Sequence, residues 1–352
     1  MSQCMETQNI QGLIAMSYSS KLKNKIKKSA IYLLLLMVSL LINTIISPIN
    51  AAICDDYFLL NLYEDDTDSI YQIHKFNDQN SVLSFTPINT NLETTGISGI
   101  NARWFNTLSY NPVDSRLYGI VYDRNDPLYP MYLYSMTVTG SNITNHGVIH
   151  AGGTQNLTRD FGSYPAITFT DGQSFTQQVT NYTPGDEDDE GYTATYFSGA
   201  INPAGTHLYL FHFDDYHILK VDLATQKFTV LQQDTVVSSI ASGDFSFDSA
   251  GFLYAIKQDS SDLVRLSPEA GTASSIALTW QGLAPINITY PAHLLLRDDN
   301  TAQFIHRYGT HDLDNDGVTR EYTGPVLYEV TISTGIVSAV KAVDSQDRKS
   351  VV

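Results

Sequence analysis

Residues 202–223 read NPAGTHLYLFHFDDYHILKVDL, and the pattern within them is the strongest indication of the fold. Two runs of alternating residues, HLYLFHF and HILKVDL, flank a short polar segment. Alternation with a period of two predicts β-strands, and a short polar connection between two such runs predicts a hairpin. With Phe213 placed opposite His217, both faces of this hairpin are largely apolar. Because a sandwich strand is apolar on one face only, the pattern predicts a sheet that packs against neighbours on both sides.

Part of this sequence, Asn-Pro followed by Leu-Tyr, recurs along the chain as a motif. Asn111-Pro112 is followed five residues later by Leu117-Tyr118, as Asn202-Pro203 is followed by Leu208-Tyr209, and Leu253-Tyr254 follows a comparable turn. The three tyrosines are 91 and 45 residues apart, which corresponds to two periods and one. A period near 45 residues with several strands per unit is the blade length of a β-propeller.

The repeat therefore predicts an all-β fold, a single β-propeller of about six blades, with five or seven blades as alternatives. The propeller domain is predicted over residues 52–345, followed by a polar tail over 346–352. The weakest copy of the repeat is Ile167–Gly172, within the third unit. The six predicted units lie near 57–88, 105–150, 160–192, 195–233, 242–280 and 290–343.

The N-terminus has the order of a secretory signal peptide. Five lysines at 21–28 precede an uncharged apolar run, Ala30–Ile42, and the small residue Ala51 stands at its exit. This order predicts a cleaved signal peptide over residues 1–51, with Met16 as an alternative start. An uncleaved anchor is the competing interpretation. The strongly apolar core has only 13 residues, whereas a membrane span needs about 20, so we expect cleavage and no membrane span afterwards.

The charge of the chain limits its partners. The sequence has 20 basic and 37 acidic residues, of which residues 1–51 hold five and one, so the mature chain has a net charge of −21. Such a surface repels nucleic acid and anionic membranes. Removal of the leader also leaves Cys54 as the single cysteine, which is either a free thiol or paired with another chain. We expect a monomer that is secreted, periplasmic or on the bacterial cell surface.

Several phrases of the chain resemble an uncharacterised family of bacterial secreted or cell-surface propellers, a domain of unknown function. The resemblance covers most of residues 55–340 and implies a propeller fold and export. It implies no catalytic residues. The phrases that carry it are Phe105–Asp114 with Leu117–Ile120, Leu219–Thr225, Gly243–Asp248, Val264–Thr272 and Leu327–Gly335.

One acidic segment is a candidate calcium site. Asp312, Asp314 and Asp316 alternate before Gly317, and Ca²⁺ takes six to eight oxygen ligands from such turns. No glutamate stands at the twelfth position, so the segment is not an EF-hand. A solvated acidic turn is the competing interpretation. The denser acidic run at 186–190 reads as a solvated loop.

The three histidines His207, His212 and His217 stand close together in the sequence, which suggests a metal cluster. The predicted hairpin register places His212 on the opposite face from the other two, which then lie far apart along their shared face. A zinc site needs convergent ligands, so no zinc site is expected here.

Two functions remain open from the sequence. The first is a non-enzymatic binding module that takes a protein or glycan on a propeller face. The second is a secreted polysaccharide lyase or hydrolase with its site in the central channel, built from loops of several blades. No nucleophile elbow, phosphate loop or paired-histidine zinc helix occurs. The residues that would serve a channel site are Arg103, Trp104, Tyr164, Arg307 and His311.

Overall fold

The chain divides into two units, Met1–Asp55 and Asp56–Val352, and the computed structural model describes residues of the second. The described residues are 57–64, 69–77, 84–89, 97, 102–123, 126–128, 130–157, 167–176, 196–212, 217–232, 245–257, 262–280, 284–285, 291–298, 300–306, 309–311, 320–322 and 326–342. The predicted leader, Cys54 and the predicted tail lie outside these residues.

Every regular element among the described residues is a β-strand, as the alternating runs predict. In this part of the chain there is no helix, and hence none long and apolar enough to cross a membrane. In chain order the strands are β1 (Tyr57–Glu64), β2 (Ser69–Asn77), β3 (Ser84–Asn89), β4 (Ala102–Asn111), β5 (Arg116–Asp123), β6 (Met131–Thr137), β7 (Thr144–Val148), β8 (His150–Ala151), β9 (Gln155–Leu157), β10 (Ile167–Phe169), β11 (Tyr196–Ile201), β12 (His207–His212), β13 (His217–Asp222), β14 (Lys227–Gln232), β15 (Ser246–Phe247), β16 (Leu253–Ile256), β17 (Asp262–Ser267), β18 (Thr272–Ala277), β19 (Thr279–Trp280), β20 (Ala284–Pro285), β21 (Pro291–Asp298), β22 (Thr301–His306), β23 (Gly309–His311), β24 (Arg320–Tyr322), β25 (Val326–Thr331) and β26 (Ile336–Ala342).

Five larger sheets follow one another along the described chain, each antiparallel from strand to strand. Sheet I contains β1–β3, sheet II β4–β7, sheet III β11–β14, sheet IV β15–β18, and sheet V β21, β22, β25 and β26. The first strand of each sheet lies beside the first strand of the next, from β1 through β4, β11 and β15 to β21. We call these five the inner strands. Blades of a propeller are arranged in this way, so the predicted all-β, propeller-like fold is confirmed, while the number of six blades stays a prediction.

The sheets pack on both faces, which is what the two-sided apolar pattern predicts. Leu210 and Val221, on one face of sheet III, belong to an apolar cluster shared with sheet II. Phe211 and Ile218, on the other face, belong to a cluster shared with sheet IV. A third cluster joins sheets IV and V. Burial of each large apolar side chain contributes about 1.5–3 kcal/mol, so these junctions stabilise the arrangement of neighbouring sheets.

The hairpin β12–β13 has a register one residue away from the predicted one. His207 lies opposite Asp222, whereas the predicted register has Phe213 opposite His217. A shift of one residue moves every side chain of one strand to the other face. His217 therefore does not share a face with His207, and its side chain is fully buried. Because both alternating sets are apolar, the pattern alone did not select the register.

Sheets II and III are direct neighbours, although a unit was predicted between them at 160–192. Strand β10, inside that predicted unit, pairs with β9 in a two-stranded sheet, and most of the remaining unit lies outside the described residues. Phe169 and Phe175 pack on Phe228 of sheet III, with ring centroids 5.2 and 5.6 Å from it. The described part of this segment thus covers the outer strand of sheet III.

Two short strands cross from one sheet to the next. After sheet II the chain forms β8, which pairs in parallel with β14, the outer strand of sheet III. After sheet IV it forms β19, which pairs in parallel with β26, the outer strand of sheet V. In both cases the chain leaving one sheet covers the outer edge of the following sheet.

Candidate functional site

The three repeat tyrosines occupy equivalent places in three different sheets. Tyr118, Tyr209 and Tyr254 lie on the second strands of sheets II, III and IV, respectively. Opposite them on the third strands stand Ser135, Lys220 and Arg265. The prediction that these tyrosines mark different blades is confirmed.

Each of these tyrosines donates its hydroxyl hydrogen to a carboxylate. The acceptors are Asp114 for Tyr118 at 2.5 Å, Glu269 for Tyr209 at 2.6 Å and Asp248 for Tyr254 at 3.3 Å. Burial, together with the neighbouring carboxylate, raises the pKa of Tyr118 to about 12. The same two causes raise the pKa of Tyr209 and of Tyr254. All three phenols therefore stay protonated at neutral pH and act as donors.

Glu269 connects two sheets. It lies in the turn between β17 and β18 of sheet IV and accepts hydrogen bonds at Oε1 from Tyr209 and from Lys220 Nζ, both 2.6 Å away in sheet III. Burial alone would raise the pKa of Glu269, but the two donors outweigh it and lower that pKa below its ordinary value. The carboxylate is charged at neutral pH and holds the exposed rim of the junction between sheets III and IV.

His207 and Asp222 form a second pair in sheet III, with Nε2 and Oδ2 3.7 Å apart. Burial, followed by the positive charge of Lys220, lowers the pKa of His207. Burial opposes ionisation of Asp222, but hydrogen bonds from Thr225 and Ala224 lower its pKa overall. At neutral pH the imidazole is neutral and the carboxylate is charged.

In the turns between the first and second strands of sheets II, III and IV, a side-chain oxygen accepts a hydrogen bond from a nearby backbone N–H. The side-chain Oδ1 of Asn111 accepts a hydrogen bond from the backbone N–H two residues on at 3.0 Å. Oδ1 of Asn202 and of Asp248 accepts from the N–H four residues on at 2.9 and 2.8 Å. Asn and Asp stabilise turns in this way, so these turns of sheets II, III and IV are held in fixed conformations.

These turns lie against one another. Asn111 Nδ2 donates to the carbonyl of Gly205 at 3.1 Å, between sheets II and III. The N–H of Leu223 donates to the carbonyl of Thr206 at 3.0 Å, between the two turns of sheet III. We call residues 112–115, 203–206, 223–226, 249–251 and 268–271 the turn edge.

The turn edge exposes small apolar residues and proline. Val113 is 67% exposed, the highest value among the exposed large hydrophobic residues of the described chain. The acidic side chains Asp114 and Glu269 in this surface accept hydrogen bonds from tyrosine hydroxyls. The exposed proline and apolar residues of the turn edge are Pro112, Val113, Pro203, Ala204, Ala224, Ala250 and Ala270.

Inner strand β4 contains two irregularities within a few residues. Its register against β5 shifts between Arg103 and Asn106, and again between Asn106 and Leu108. Thr107, inside the second shift, has a φ of 63° and is 4% exposed. A β-branched residue in this region is strained, at a cost of about 1–3 kcal/mol.

Two glycines make room for Thr107. A Cβ at Gly119 on β5 would overlap the Thr107 carbonyl oxygen, and a Cβ at Gly199 on β11 would overlap its Cγ2. Gly199 belongs to sheet III, so the strained residue of sheet II fits against a glycine of the next inner strand. Neither the bulges nor these two glycines were identified in the sequence, although Gly119 follows the repeat tyrosine.

The residues proposed for a channel site are only partly described. Arg103 and Trp104 lie in inner strand β4 and His311 ends β23, while Tyr164 and Arg307 lie outside the described residues. The calcium candidates Asp312, Asp314 and Asp316 also lie outside them. Within the described chain, no three His, Cys, Asp or Glu side chains come together as a metal site.

Sequence reasoning missed Asp114 and Glu269 as carboxylate partners of the repeat tyrosines. Asp114 stands four residues before Tyr118, in the turn that leads into β5, so a local signal was present. Glu269 is 60 residues from Tyr209, and only the stacking of one sheet on the next brings them together.

Solved structures similar to this chain share low sequence identity with it. One is a protein of unknown function from Bacteroides thetaiotaomicron VPI-5482, 12% identical over 82% of this chain and 56% of that one, with a TM-score of 0.46. TolB from Acinetobacter baumannii is 12% identical over 87% and 57%, with a TM-score of 0.41. A chain of a nidogen/laminin complex is 11% identical over 83% and 95%, with a TM-score of 0.40. The chain spans little more than half the length of the first two.

The search of curated proteins found no match to the sequence. The family described as "Repeat of unknown function (DUF6923)" has a model that matches residues 71–292. These residues include sheet II, sheet III and sheet IV, and they make up more than half of the chain. The chain therefore belongs to this family of repeats of unknown function.

Proposed function

We propose that this protein is an exported, non-enzymatic binding module and that its partner docks on the turn edge. The observation that carries the proposal is the row of fixed turns that exposes Pro112, Val113, Pro203 and Ala204. Surfaces that are already rigid lose little conformational entropy on binding. Side-chain hydrogen bonds hold these turns, and the prolines restrict them further, so the turn edge suits recognition.

The chemistry of the exposed residues favours a protein as the partner. Small apolar side chains and proline offer close contact with another apolar surface, and exposed apolar patches commonly mark such contacts. The chain as a whole has a net charge of −17, whereas the exposed residues of the turn edge are mostly uncharged. A protein with a flat apolar surface fits this edge, and a glycan partner is an outcome of the test below.

The ionisable groups at the turn edge support binding rather than catalysis. Tyr118, Tyr209 and Tyr254 each donate to a carboxylate, and Lys220 donates to Glu269. A general acid or base needs a pKa near the operating pH. The pKa of Tyr118 lies at about 12 and that of Glu269 lies below its ordinary value. Neither group therefore has a pKa near neutral pH, as a general acid or base would need.

Export is the second part of the proposal and rests on the order of lysines, apolar core and small residue in residues 1–51. The secreted, periplasmic or cell-surface location follows from that leader. A partner on the outside of the cell is consistent with an acidic chain that repels nucleic acid.

The test uses the mature protein and single substitutions that add a charged, bulky side chain to the turn edge. Val113→Arg and Ala204→Arg are the test variants. Thr229→Arg is the matched control, because Thr229 is exposed on β14 outside the turn edge and the charge change is the same. Labelled proteins are titrated onto cells that display the surface of the producing organism and onto a glycan array.

We expect the two turn-edge variants to bind the cell surface about tenfold more weakly than the parent, since one poorly accommodated residue at an interface centre costs 1–2 kcal/mol or more. The control variant binds like the parent. Equal binding by all three variants overturns the turn edge as the docking surface. Binding to the glycan array that the substitutions weaken assigns the edge to a glycan. Release of sugar ends from polysaccharide by the purified protein establishes the alternative, a lyase or hydrolase.

A further inference from the structure

Sheets III, IV and V meet in the same way at the turns between their third and fourth strands. Gly271 and Gly335 lie in these turns of sheets IV and V, with φ values of 66° and 67°. A Cβ at either glycine would collide with the carbonyl oxygen of the last residue of the preceding outer strand, β14 or β18. Each turn therefore packs on the preceding sheet at an equivalent place. Ser333, two residues before Gly335, takes the place that Glu269 has before Gly271.

The junction between sheets IV and V lacks the carboxylate that completes the preceding junction. Between sheets III and IV, Glu269 accepts hydrogen bonds from Tyr209 and Lys220. Tyr254 and Arg265 are the equivalent pair of sheet IV, because they lie opposite each other on its second and third strands. The turn of sheet V offers them an exposed, uncharged serine instead of a glutamate.

Arg265 lies at this junction without an anionic partner among the described residues. Its guanidinium Cζ lies 3.4 Å from the centroid of the Phe252 ring. Its Nε is buried and has no hydrogen-bond partner in the described structure, which is unusual for a buried polar group. The carboxylate of Asp248 is itself buried and accepts from Tyr254 and from two backbone N–H groups. The side chain of Arg265 as a whole is partly exposed, so a ligand can reach it.

A carboxylate is the ligand that suits this arginine. A guanidinium donates two parallel hydrogen bonds to a carboxylate, and such charge-assisted bonds are about twice as strong as neutral ones. At the preceding junction the matching carboxylate is a side chain presented by a protein turn, residues 267–272. We propose that Arg265 binds an acidic side chain of the partner protein beside the turn edge. This inference rests on the proposed docking surface and adds the chemistry of the partner. The net negative charge of the chain is screened beyond about 8 Å at physiological salt, so the local cation decides.

The first test supplies the carboxylate from the chain itself. Ser333→Glu puts a glutamate in the equivalent place, Ser333→Gln is the uncharged control, and Thr334→Glu adds the same charge at the next exposed position. In urea denaturation, Ser333→Glu should lower the equilibrium constant of unfolding about two- to fivefold relative to Ser333→Gln, as partly exposed ion pairs do. The gain should vanish in an Arg265→Gln background and be absent from Thr334→Glu. No gain, or a gain that survives Arg265→Gln, overturns the site.

The second test uses a defined ligand. The probe is the capped peptide SPEAGT, copied from residues 267–272. The same peptide with glutamine for glutamate is the control, and succinate is the free carboxylate. The Nε–H resonance of Arg265, assigned from its loss in Arg265→Lys, is followed by NMR. We expect a saturable shift at millimolar peptide, about tenfold weaker binding of the glutamine peptide, and no shift in Ser333→Glu. No shift in the parent refutes the proposal, as does succinate that binds as tightly as the peptide.

Binding to cells separates this inference from the proposed function. Ser333→Glu occupies Arg265 and should weaken binding of the mature protein to the cell surface about tenfold, whereas Ser333→Gln should bind like the parent. Weakening by Val113→Arg but not by Ser333→Glu keeps the turn edge and refutes the acidic contact. Weakening by Ser333→Glu alone keeps the acidic contact and refutes the turn edge. Circular dichroism checks that each variant is folded.

Discussion

The Tyr209 hydroxyl lies 2.6 Å from Oε1 of Glu269, although the two residues belong to different sheets. Lys220 donates to the same oxygen from the strand next to Tyr209. The apolar cluster beneath them joins sheets III and IV, and this charged contact closes the same junction at its solvent-exposed rim.

Tyr209→Phe removes one hydrogen bond from this contact and keeps the aromatic ring. A hydrogen bond to a charged group contributes about 1.5–3 kcal/mol when shielded, but the Glu269 side chain is 56% exposed, and solvent reduces the value. We expect a loss of about 1 kcal/mol in the free energy of unfolding, measured by urea denaturation. Combined with Glu269→Gln, the two substitutions should be non-additive. Additive losses contradict a direct tie between the sheets.

The stability of the protein falls with acidification in two stages. The pKa of His207 is below its ordinary value of 6.5 in the fold, and that of Glu269 is below 4.5. In both cases the unfolded chain binds the proton first as the pH falls, so stability is lost below pH 6.5 for His207 and below pH 4.5 for Glu269. Urea unfolding between pH 8 and 3, on the parent, His207→Gln and Glu269→Gln, measures both stages. His207→Gln should reduce the first stage without abolishing it, because burial lowers the pKa of His146 as well, and Glu269→Gln should reduce the second. Unchanged profiles refute the assignment.

Gly199→Ala tests the close fit of neighbouring inner strands. The new Cβ overlaps Thr107 Cγ2 and stands 3.0 Å from the carbonyl oxygen of Tyr209. Overpacking of this kind costs about 1–3 kcal/mol, measured as a lower denaturation midpoint. Thr107→Ser removes the colliding methyl group and should recover part of the loss in the double variant. Gly152→Ala is the control, because its new Cβ would stand no closer than 3.4 Å to any neighbouring atom and its backbone, like that of Gly199, is not left-handed. A harmless Gly199→Ala rules out the packing described.

The calcium site proposed at Asp312, Asp314 and Asp316 has a thermodynamic signature. A cation that binds only the folded chain stabilises it by about 2.7 kcal/mol at one hundred times its dissociation constant. In a domain of this size the thermal midpoint rises by a few degrees at most. Asp314→Asn should reduce that rise without unfolding the protein. The measurement is thermal unfolding of the parent protein and of Asp314→Asn, each in calcium and in chelator. Equal midpoints for the parent eliminate the site, and a shift that survives the substitution moves it elsewhere.

The leader has a prediction of its own. The order of the basic, apolar and small residues places cleavage after Ala51. N-terminal sequencing of the exported protein should begin at Ala52 or within a few residues of it. Recovery of the full chain from the membrane fraction would instead establish an anchor. This measurement tests export independently of the binding experiments.

The repeat tyrosines show how far the sequence predicts this fold. Tyr118, Tyr209 and Tyr254 were identified by spacing alone, and they lie on equivalent strands because a blade length is set by local strand and turn patterns. The hairpin at 207–222 was predicted with the wrong register, since two apolar faces give no preference between alternatives one residue apart.

The sequence pattern could not predict which residues of one sheet contact which residues of the next. Glu269 and Tyr209 are 60 residues apart, and no local pattern relates them. Thr107 looks like an ordinary strand residue because β-branched residues favour strands. Its positive φ depends on glycines in two other strands, and only the packed structure shows that all three positions belong together.

The crossing strands β8 and β19 limit how this chain can evolve by duplication or deletion of its sheets. Each begins after one sheet and pairs with the outer strand of the next, so the segment that leaves sheet II is hydrogen-bonded to sheet III, and the segment that leaves sheet IV is hydrogen-bonded to sheet V. Loss of sheet II together with β8 leaves Lys227 and Phe228, at the edge of sheet III, without their parallel partner strand, and unpaired edges promote aggregation. A duplication or deletion that keeps β8 with sheet III, or β19 with sheet V, therefore leaves those outer strands paired, whereas one that separates them exposes an edge.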